Sequence, residues 1–197
     1  MSISRLLCLL LVAVSFMSCK SEYQRYVERE LASSTLQDSL IFGMRMGQSK
    51  KDFFTICWEL NKQKLISQGT GNTTARYVTD RDTAGNNSPM SKEMLFYGIF
   101  DENDIMRGME MTYSFTTWAP WNREKQSDSL LLHLRDWYLM EYPGNDFIEI
   151  DIEGVENPAL VKIDGSRQIL MYPKNDKDVV VKIEDLHYKL NEQWKKE

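Results

Sequence analysis

Cysteine is scarce in this sequence, and its placement excludes a disulfide framework for the folded part of the chain. Two of the three cysteines, Cys8 and Cys19, lie in or directly after an apolar N-terminal segment, which leaves Cys57 alone. Without a Cys-x-x-Cys pair there is no zinc-ribbon or thiol-redox motif. Because Cys57 stands among large apolar residues, we interpret it as a small buried hydrophobe rather than a nucleophile. Stability must therefore come from a hydrophobic core.

Residue patterns typical of catalysis, metal binding and cofactor binding are missing as well. His133 and His187 are the only histidines, and neither has a partner at metal-ligand spacing. No Gly-x-Ser-x-Gly sequence marks a serine nucleophile. In the loop 43–50, three residues separate the two glycines and a serine precedes the lysine, which is not the pattern of a phosphate-binding loop. We predict no catalytic residue, no metal and no cofactor.

An excess of basic residues is also lacking. The chain has 24 lysines and arginines against 29 acidic residues, a net charge of −5 at pH 7. Proteins that bind nucleic acid carry a basic patch or stripe. None is visible here, so no nucleic-acid partner is expected. A hydrophobic fraction of 42% and a charged fraction of 27% are ordinary for a globular domain.

The chain has no apolar run long enough to span a bilayer. The longest, from Leu6 to Met17 with one break at Ser15, has about a dozen residues, whereas a transmembrane helix needs about 20. The run is apolar all round from Leu6 to Val14, unlike a core helix with one polar face. Arg5 precedes it and small residues follow it, which is the arrangement of an export signal. We predict that residues 1–18 are a removable signal peptide.

The end of this signal, Phe16-Met17-Ser18-Cys19, resembles the lipid-attachment site of bacterial cell-envelope lipoproteins. The resemblance implies cleavage before Cys19, diacylglycerol on its sulfur, and acyl chains such as palmitate that hold the protein at a membrane. By analogy with the enterobacterial sorting rule, Lys20 in place of aspartate points to the outer membrane. The alternative is an ordinary signal peptide that has a cysteine near its end. Residues 19–38 are predicted as a lipid-anchored tether, helical around Tyr26 to Leu31.

Residues 39–197 are predicted as a globular domain with two long helices. Ser49 and Asp52 form a capping-box pattern that begins a helix from Lys50 to about Ile66. A second helix runs from about Ser127 to Tyr142, where Pro-Gly ends it. Alternating apolar residues and turn signals predict strands at 39–42, 73–79, 92–101, 105–118, 146–152, 159–163, 167–172 and 179–183, and a final helix at 184–194.

The order of these elements predicts the fold class. Each long helix is followed by strands joined by short turns, as expected for antiparallel pairing. We therefore predict an α+β fold of two α-β-β-β-like units, 39–123 and 124–197, with helices packed on one face of antiparallel sheet.

The start of the first long helix carries a second resemblance. From Phe42 to Phe53 the sequence has a strand, the pattern Gly-Met-x-x-Gly-x-Ser and then the helix. This arrangement resembles small envelope lipoproteins of the SmpA/OmlA and β-lactamase-inhibitor-like fold group. The resemblance implies a protein-binding scaffold rather than an enzyme.

Two tryptophans at the end of a predicted strand are the main candidates for binding. Trp118 and Trp121 flank Ala-Pro and are followed by Asn122 and Arg123. If exposed, they would form a stacking platform for a sugar or an anchor for a protein partner. The alternative is that they pack against the second helix, since tryptophan is highly buried on average. We expect Trp118 to belong to the core and Trp121 to be the more exposed ring.

An acidic strand provides the competing, enzymatic hypothesis. Glu149, Asp151 and Glu153 alternate with isoleucines, so their carboxylates lie on one face of the predicted strand 146–152. Such a pair could serve a glycosidase-like hydrolase as general acid and base. A solvated sheet face explains the same alternation. The first hypothesis remains a non-enzymatic envelope lipoprotein that binds a protein or glycan partner.

Overall fold

Helices and antiparallel strands make up the part of the chain that the structure describes, residues 21–79 and 88–194. The structure is a computed structural model. Its helices are α1 Glu22–Ala32, α2 Lys50–Lys62, α3 Ser127–Glu141 and α4 Leu186–Trp194. Its strands are β1 Ile66–Gln68, β2 Ala75–Val78, β3 Lys92–Phe100, β4 Met106–Phe115, β5 Ile148–Ile150, β6 Ala159–Asp164, β7 Arg167–Pro173 and β8 Val179–Asp185. Among the described residues, no helix is long and apolar enough to cross a membrane.

The eight strands form one antiparallel sheet in the order β1-β2-β3-β4-β8-β7-β6-β5. Each half of the sheet is therefore a run of neighbouring strands, and the two halves meet where β4 pairs with β8. The predicted class, α+β with helices against antiparallel sheet, is confirmed. Each half has a long helix followed by four strands, and the strand that was not predicted is β1 in the first half.

The first long helix begins where the sequence predicted and ends earlier. The Ser49 hydroxyl accepts the backbone N–H of Asp52 at 3.1 Å, and the Asp52 carboxylate accepts the Ser49 N–H at 3.2 Å. The helix stops at Lys62 because Lys64 has a left-handed backbone, with φ of 60°. This break frees Ile66, which was predicted as the end of the helix, to begin β1.

The segment before α2 is a 3-10 turn, Ile41–Gly43, and not the predicted strand 39–42. Phe42 and Gly43 both have left-handed backbones, with φ of 57° and 71°. Two successive left-handed residues reverse the chain, so extended pairing is reduced to a single bridge between Ser39 and Arg45.

The β3–β4 hairpin contains a bulge that the alternation did not predict. Ile99 pairs with Gly108, but Phe100 pairs with Met106, which leaves Arg107 without a partner in the ladder. Arg107 therefore does not join the inward row of Met109 and Met111, and its side chain pairs with Asp101 at 2.9 Å instead. Met106 takes the inward position and is fully buried.

The main core lies between one face of the sheet, here called the front face, and the helices α2 and α3. Alternate strand residues and the inner sides of both helices meet there. Tyr113 and Tyr138 share a hydrogen bond of 2.9 Å between their hydroxyls within this apolar layer. Several members are methionines, whose flexible side chains fill irregular gaps between large rings; they are Met44, Met46, Met94, Met106, Met109, Met111 and Met171.

A second, smaller core lies on the back face of the sheet under α1. Lys162 pairs with Ile169, which lies on the front face. Val161 and Ile163 precede and follow Lys162 in the strand, so their side chains point to the back face. Tyr26 is buried against them, and its hydroxyl donates to the Ile163 carbonyl and accepts the Ile163 N–H, both at 3.0 Å. Helix α1 is thus part of the domain.

This position of α1 corrects the predicted tether over residues 19–38. The helix predicted around Tyr26 to Leu31 is present, but it packs on the sheet rather than separating the domain from a membrane. The folded domain therefore begins at about residue 22 instead of 39. Cys19, the predicted lipid-attachment residue, lies outside the described residues.

Candidate binding sites

The two predicted tryptophans lie in opposite environments. Trp118 packs against the front core, and its indole N–H donates to the Asp176 carbonyl at 3.3 Å. Trp121 is 85% exposed. The expected contrast between an inward Trp118 and an outward Trp121 is confirmed. Because Trp118 packs on the front core, Trp121 is the ring that is left as a candidate surface anchor.

The chain around Trp121 is held by a network of hydrogen bonds. The Asn122 side chain accepts the backbone N–H of Glu124 at 3.2 Å and so caps a 3-10 turn at Arg123–Lys125. The amide of Gln126 donates to the Ala119 carbonyl at 3.0 Å. Lys125 is buried, and its ammonium donates to the Pro89 carbonyl at 2.8 Å. These bonds present the Trp121 ring from a fixed turn.

A shallow polar cleft begins beside this turn. Its volume is about 730 Å³, and its walls come from the turn, the first half of α3 and the β5–β7 edge of the sheet. Charges of both signs line it, namely Arg123, Asp128, Arg135, Glu149 and Asp176. We call this surface the polar cleft. No local pattern in the sequence marks it, because its walls come from three separate segments of the chain, 120–135, 149–160 and 173–176.

The acidic strand contributes one residue to this cleft. Strand β5 covers only Ile148–Ile150, with both isoleucines packed on the back core and Glu149 facing the polar cleft. Asp151 and Glu153 follow the end of the strand, and all three acidic residues are exposed. The three carboxylates therefore do not lie in one row on one face of a strand, as was predicted over 146–152. This geometry gives no support to a hydrolase, which needs two carboxyl groups facing each other about 5 to 10 Å apart.

A second concavity lies on the front face, between α3 and strands β2–β4. Its volume is about 280 Å³. Its floor and walls are mostly apolar or aromatic, and a few polar groups stand at its rim. Its lining includes Phe42, Tyr77, Lys92, His133, Trp137 and Glu141. We call this concavity the aromatic pocket.

One wall of the aromatic pocket is a stripe along α3. His133, Trp137 and Glu141 follow one another at intervals of four residues, so they lie on one side of the helix. The His133 ring meets Phe115 edge to face at 6.0 Å between centroids. The sequence shows no metal-ligand partner for His133, and the structure places it at the rim of a pocket.

The opposite wall comes from an aromatic cluster around Phe42. Its ring lies 5.2 Å from Tyr77, edge to face, and 5.4 Å from Phe96. The left-handed backbone of Phe42 turns this ring towards the sheet. The four-residue spacing of the α3 stripe is visible in the sequence. The position of Phe42 and Tyr77 opposite that stripe is not.

The remaining reactive groups do not gather into a site. Cys57 is half-buried, and burial raises the pKa of its thiol to about 11, so the thiol is protonated at neutral pH. Within residues 21–79 and 88–194, no group of three or more histidine, cysteine and acidic side chains is placed to hold a metal ion.

A buried ionic cluster in the β6–β7 hairpin has a structural role. Lys162 lies 2.9 Å from Asp164, and Arg167 stands 3.6 Å from the same carboxylate oxygen. Arg167 also donates to the Ser39 hydroxyl at 2.8 Å and covers the Tyr142 ring at 4.4 Å. The cluster connects the hairpin to the segments before α2 and after α3.

Comparison of the chain with protein-family models, curated proteins and solved structures finds no significant match.

Proposed function

We propose that this protein is an exported cell-envelope lipoprotein, anchored at the outer membrane through Cys19, that acts as a non-enzymatic scaffold for a protein or glycan partner. The observation that supports the binding role is Trp121, which is 85% exposed beside the polar cleft. The anchor rests on the sequence of residues 1–19 alone.

The exposure of Trp121 favours a role in binding because a solvated indole does not stabilise the fold. Tryptophan is among the residues that contribute most to protein interfaces, and its ring also stacks on sugars. The turn that carries it is fixed by hydrogen bonds, so little conformational entropy is lost when a partner binds.

The polar cleft favours a ligand rich in hydroxyl or amide groups. Arg123 and Arg135 supply donors, while Asp128, Glu149 and Asp176 supply acceptors. Its volume of about 730 Å³ lies within the range of about 300 to 1,000 Å³ that ligand sites typically have. A glycan segment or a polar loop of a partner protein meets both requirements.

The anchor is tested by substituting Cys19→Ser in the full chain, with Cys57→Ser as the matched control. We expect the Cys19 variant to lose incorporation of labelled palmitate and to leave the membrane fraction, while the control keeps both. Retention of the label and of the membrane fraction in the Cys19 variant would exclude the lipid anchor.

The binding role is tested by placing a photo-crosslinking amino acid at position 121 in cells, with position 36 as control because Leu36 is 77% exposed. We expect a crosslinked species from position 121 that is weakened by Arg123→Glu and absent from position 36. In parallel, the purified chain in detergent is applied to a glycan array. Equal crosslinking from both positions, together with no retained glycan, would contradict the proposal.

A further inference from the structure

We propose that the aromatic pocket binds a compact organic cation, an alkylammonium group, between Phe42, Tyr77 and Trp137, with Glu141 as its counter-ion. This site is separate from Trp121 and the polar cleft, and it does not depend on the lipid anchor. The ligand's chemistry follows from the ring faces, the charges along the pocket and the pocket's size.

Aromatic rings around a small pocket attract cations. The face of each ring carries the negative part of its quadrupole, and tryptophan is the strongest of the three ring types. Trp137 is 38% exposed although it lies next to the front core, so its ring is available at the pocket. Cages of this type are the usual way in which proteins recognise alkylated ammonium groups.

Charge along the pocket places the cation at one end. His133 and Lys92 flank Phe115, with the Lys92 ammonium 5.9 Å from the centre of that ring. Glu141 follows His133 by eight residues on α3, which is about 12 Å along the helix axis. The Lys92 ammonium therefore lies at the His133 end of the pocket, opposite Glu141. A ligand cation is attracted to the carboxylate end and repelled from the other.

Glu141 is available as a counter-ion. It lies at the rim of the pocket and is exposed. Among the residues that the structure describes, no basic side chain forms an ion pair with it. An anionic ligand is a poorer fit, because Glu141 would repel it and the Lys92 ammonium already donates to the Met90 carbonyl at 3.4 Å.

The backbone of Phe42 is an independent sign that the pocket is a functional feature. Phe42 has φ of 57° and ψ of 26°, a left-handed conformation that is rare and strained for a bulky residue. The strained residue places its ring against Tyr77 in the pocket wall. Backbone strain of this kind concentrates at functional sites.

The size of the pocket limits the ligand. About 280 Å³ is at the lower limit of ordinary ligand sites, so it admits a single small group and no folded segment. Such an ammonium group has two sources, a free small molecule or a lysine side chain of a partner protein. The chemistry of recognition is the same in both.

The test compares a cation with its neutral isostere. The full chain in detergent micelles is titrated by NMR with choline, with 3,3-dimethylbutan-1-ol, and with Nα-acetyl-lysine amide, each to about 50 mM because millimolar affinity is expected for so small a ligand. We expect choline to bind about tenfold more tightly than the alcohol. Tighter binding of the lysine derivative than of choline would identify a partner's side chain as the source.

Substitutions locate the site. Trp137→Ala and Glu141→Gln should each weaken choline binding by about tenfold. The matched control is Met140→Ala on the same helix, which is 76% exposed, does not line the pocket and should leave binding unchanged. A circular-dichroism melt shows that each variant is folded. Equal binding of choline and the alcohol, no binding of any probe, or unchanged binding in both variants would overturn the proposal.

Discussion

The two halves of the sheet have the same order of elements but different coverage. Helices α2 and α3 cover the front face in each half. On the back face, α1 and α4 pack over residues of β6 and β7 near one edge, and among the described residues this back core includes none from β1–β4. The second half is thus covered on both faces, whereas the back of the first half carries polar and partly exposed side chains such as Tyr97. The shared order of elements therefore does not give the two halves equal coverage.

Charges are distributed with the same asymmetry. In the second half, Lys162, Asp164 and Arg167 are nearly or fully buried. In the first half, Arg76 and Glu93 form an ion pair on the back face with about a third of each side chain exposed. Since buried charges depend on one another and exposed ones are solvated, the same chemical change should have different costs in the two halves.

The largest effect is expected for Asp164→Ala. Removal of this carboxylate leaves two buried cations without their common partner, which should lower the free energy of unfolding by about 3 to 5 kcal/mol. The matched change in the first half is Glu93→Ala, which should cost about 1 kcal/mol or less. Urea denaturation of both variants measures the difference. Equal losses of unfolding free energy in the two variants would contradict the difference between buried and exposed ion pairs.

The next effect concerns the helix that covers the back face. Tyr26→Ala removes a buried ring and both hydrogen bonds to Ile163, so we expect a loss of about 3 to 5 kcal/mol. Leu36→Ala, at a residue that is 77% exposed, should change stability by less than about 0.5 kcal/mol. Thermal melts of both variants test this. A Tyr26 variant as stable as the Leu36 variant would show that residues 22–32 are dispensable, as in the predicted tether.

A smaller effect separates the two tryptophans near the junction of the halves. Trp118→Ala removes a partly buried ring with an indole hydrogen bond and should cost up to about 3 kcal/mol. Trp121→Ala should cost less than about 0.5 kcal/mol. The melting temperatures of the two variants measure this difference in stability. A large loss in both variants would place Trp121 in the fold and remove it as a binding anchor.

The smallest effect concerns Cys57 on α2 in the first half. Burial raises the pKa of its thiol from 9.0 to about 11. The raised folded pKa means that the thiol's contribution to stability is complete below pH 9 and is lost as pH rises towards 11. Cys57→Ala should therefore show a flatter loss of stability over this range. At pH 8 the folded thiol should react more slowly with Ellman's reagent than the denatured chain, and equal rates would contradict its burial.

The sequence predicted elements whose signals are local. The capping box at Ser49, the Pro-Gly after α3 and the alternation in β4 each depend on neighbouring residues, and the corresponding elements are present. Helix α1 was misjudged because its apolar stripe is short and its partners, Val161 and Ile163, are more than a hundred residues away.

The binding surfaces were predictable only in part. Exposure of Trp121 followed from Pro120 and the end of a strand. The aromatic pocket joins α3 to a left-handed turn around Phe42 and to Tyr77, three segments with no common pattern in the chain. Such a juxtaposition comes from the sheet order, which pairs β4 with β8 and brings α3 over the first half's strands.

The packing of α1 on the sheet determines how far the domain can stand from a bilayer. Only Lys20 and Ser21 separate Cys19 from the first residue of α1, and three residue steps extend at most about 10 Å. With a lipid on Cys19, the end of α1 would remain within about that distance of the headgroups. Partners would then meet the protein close to the membrane plane.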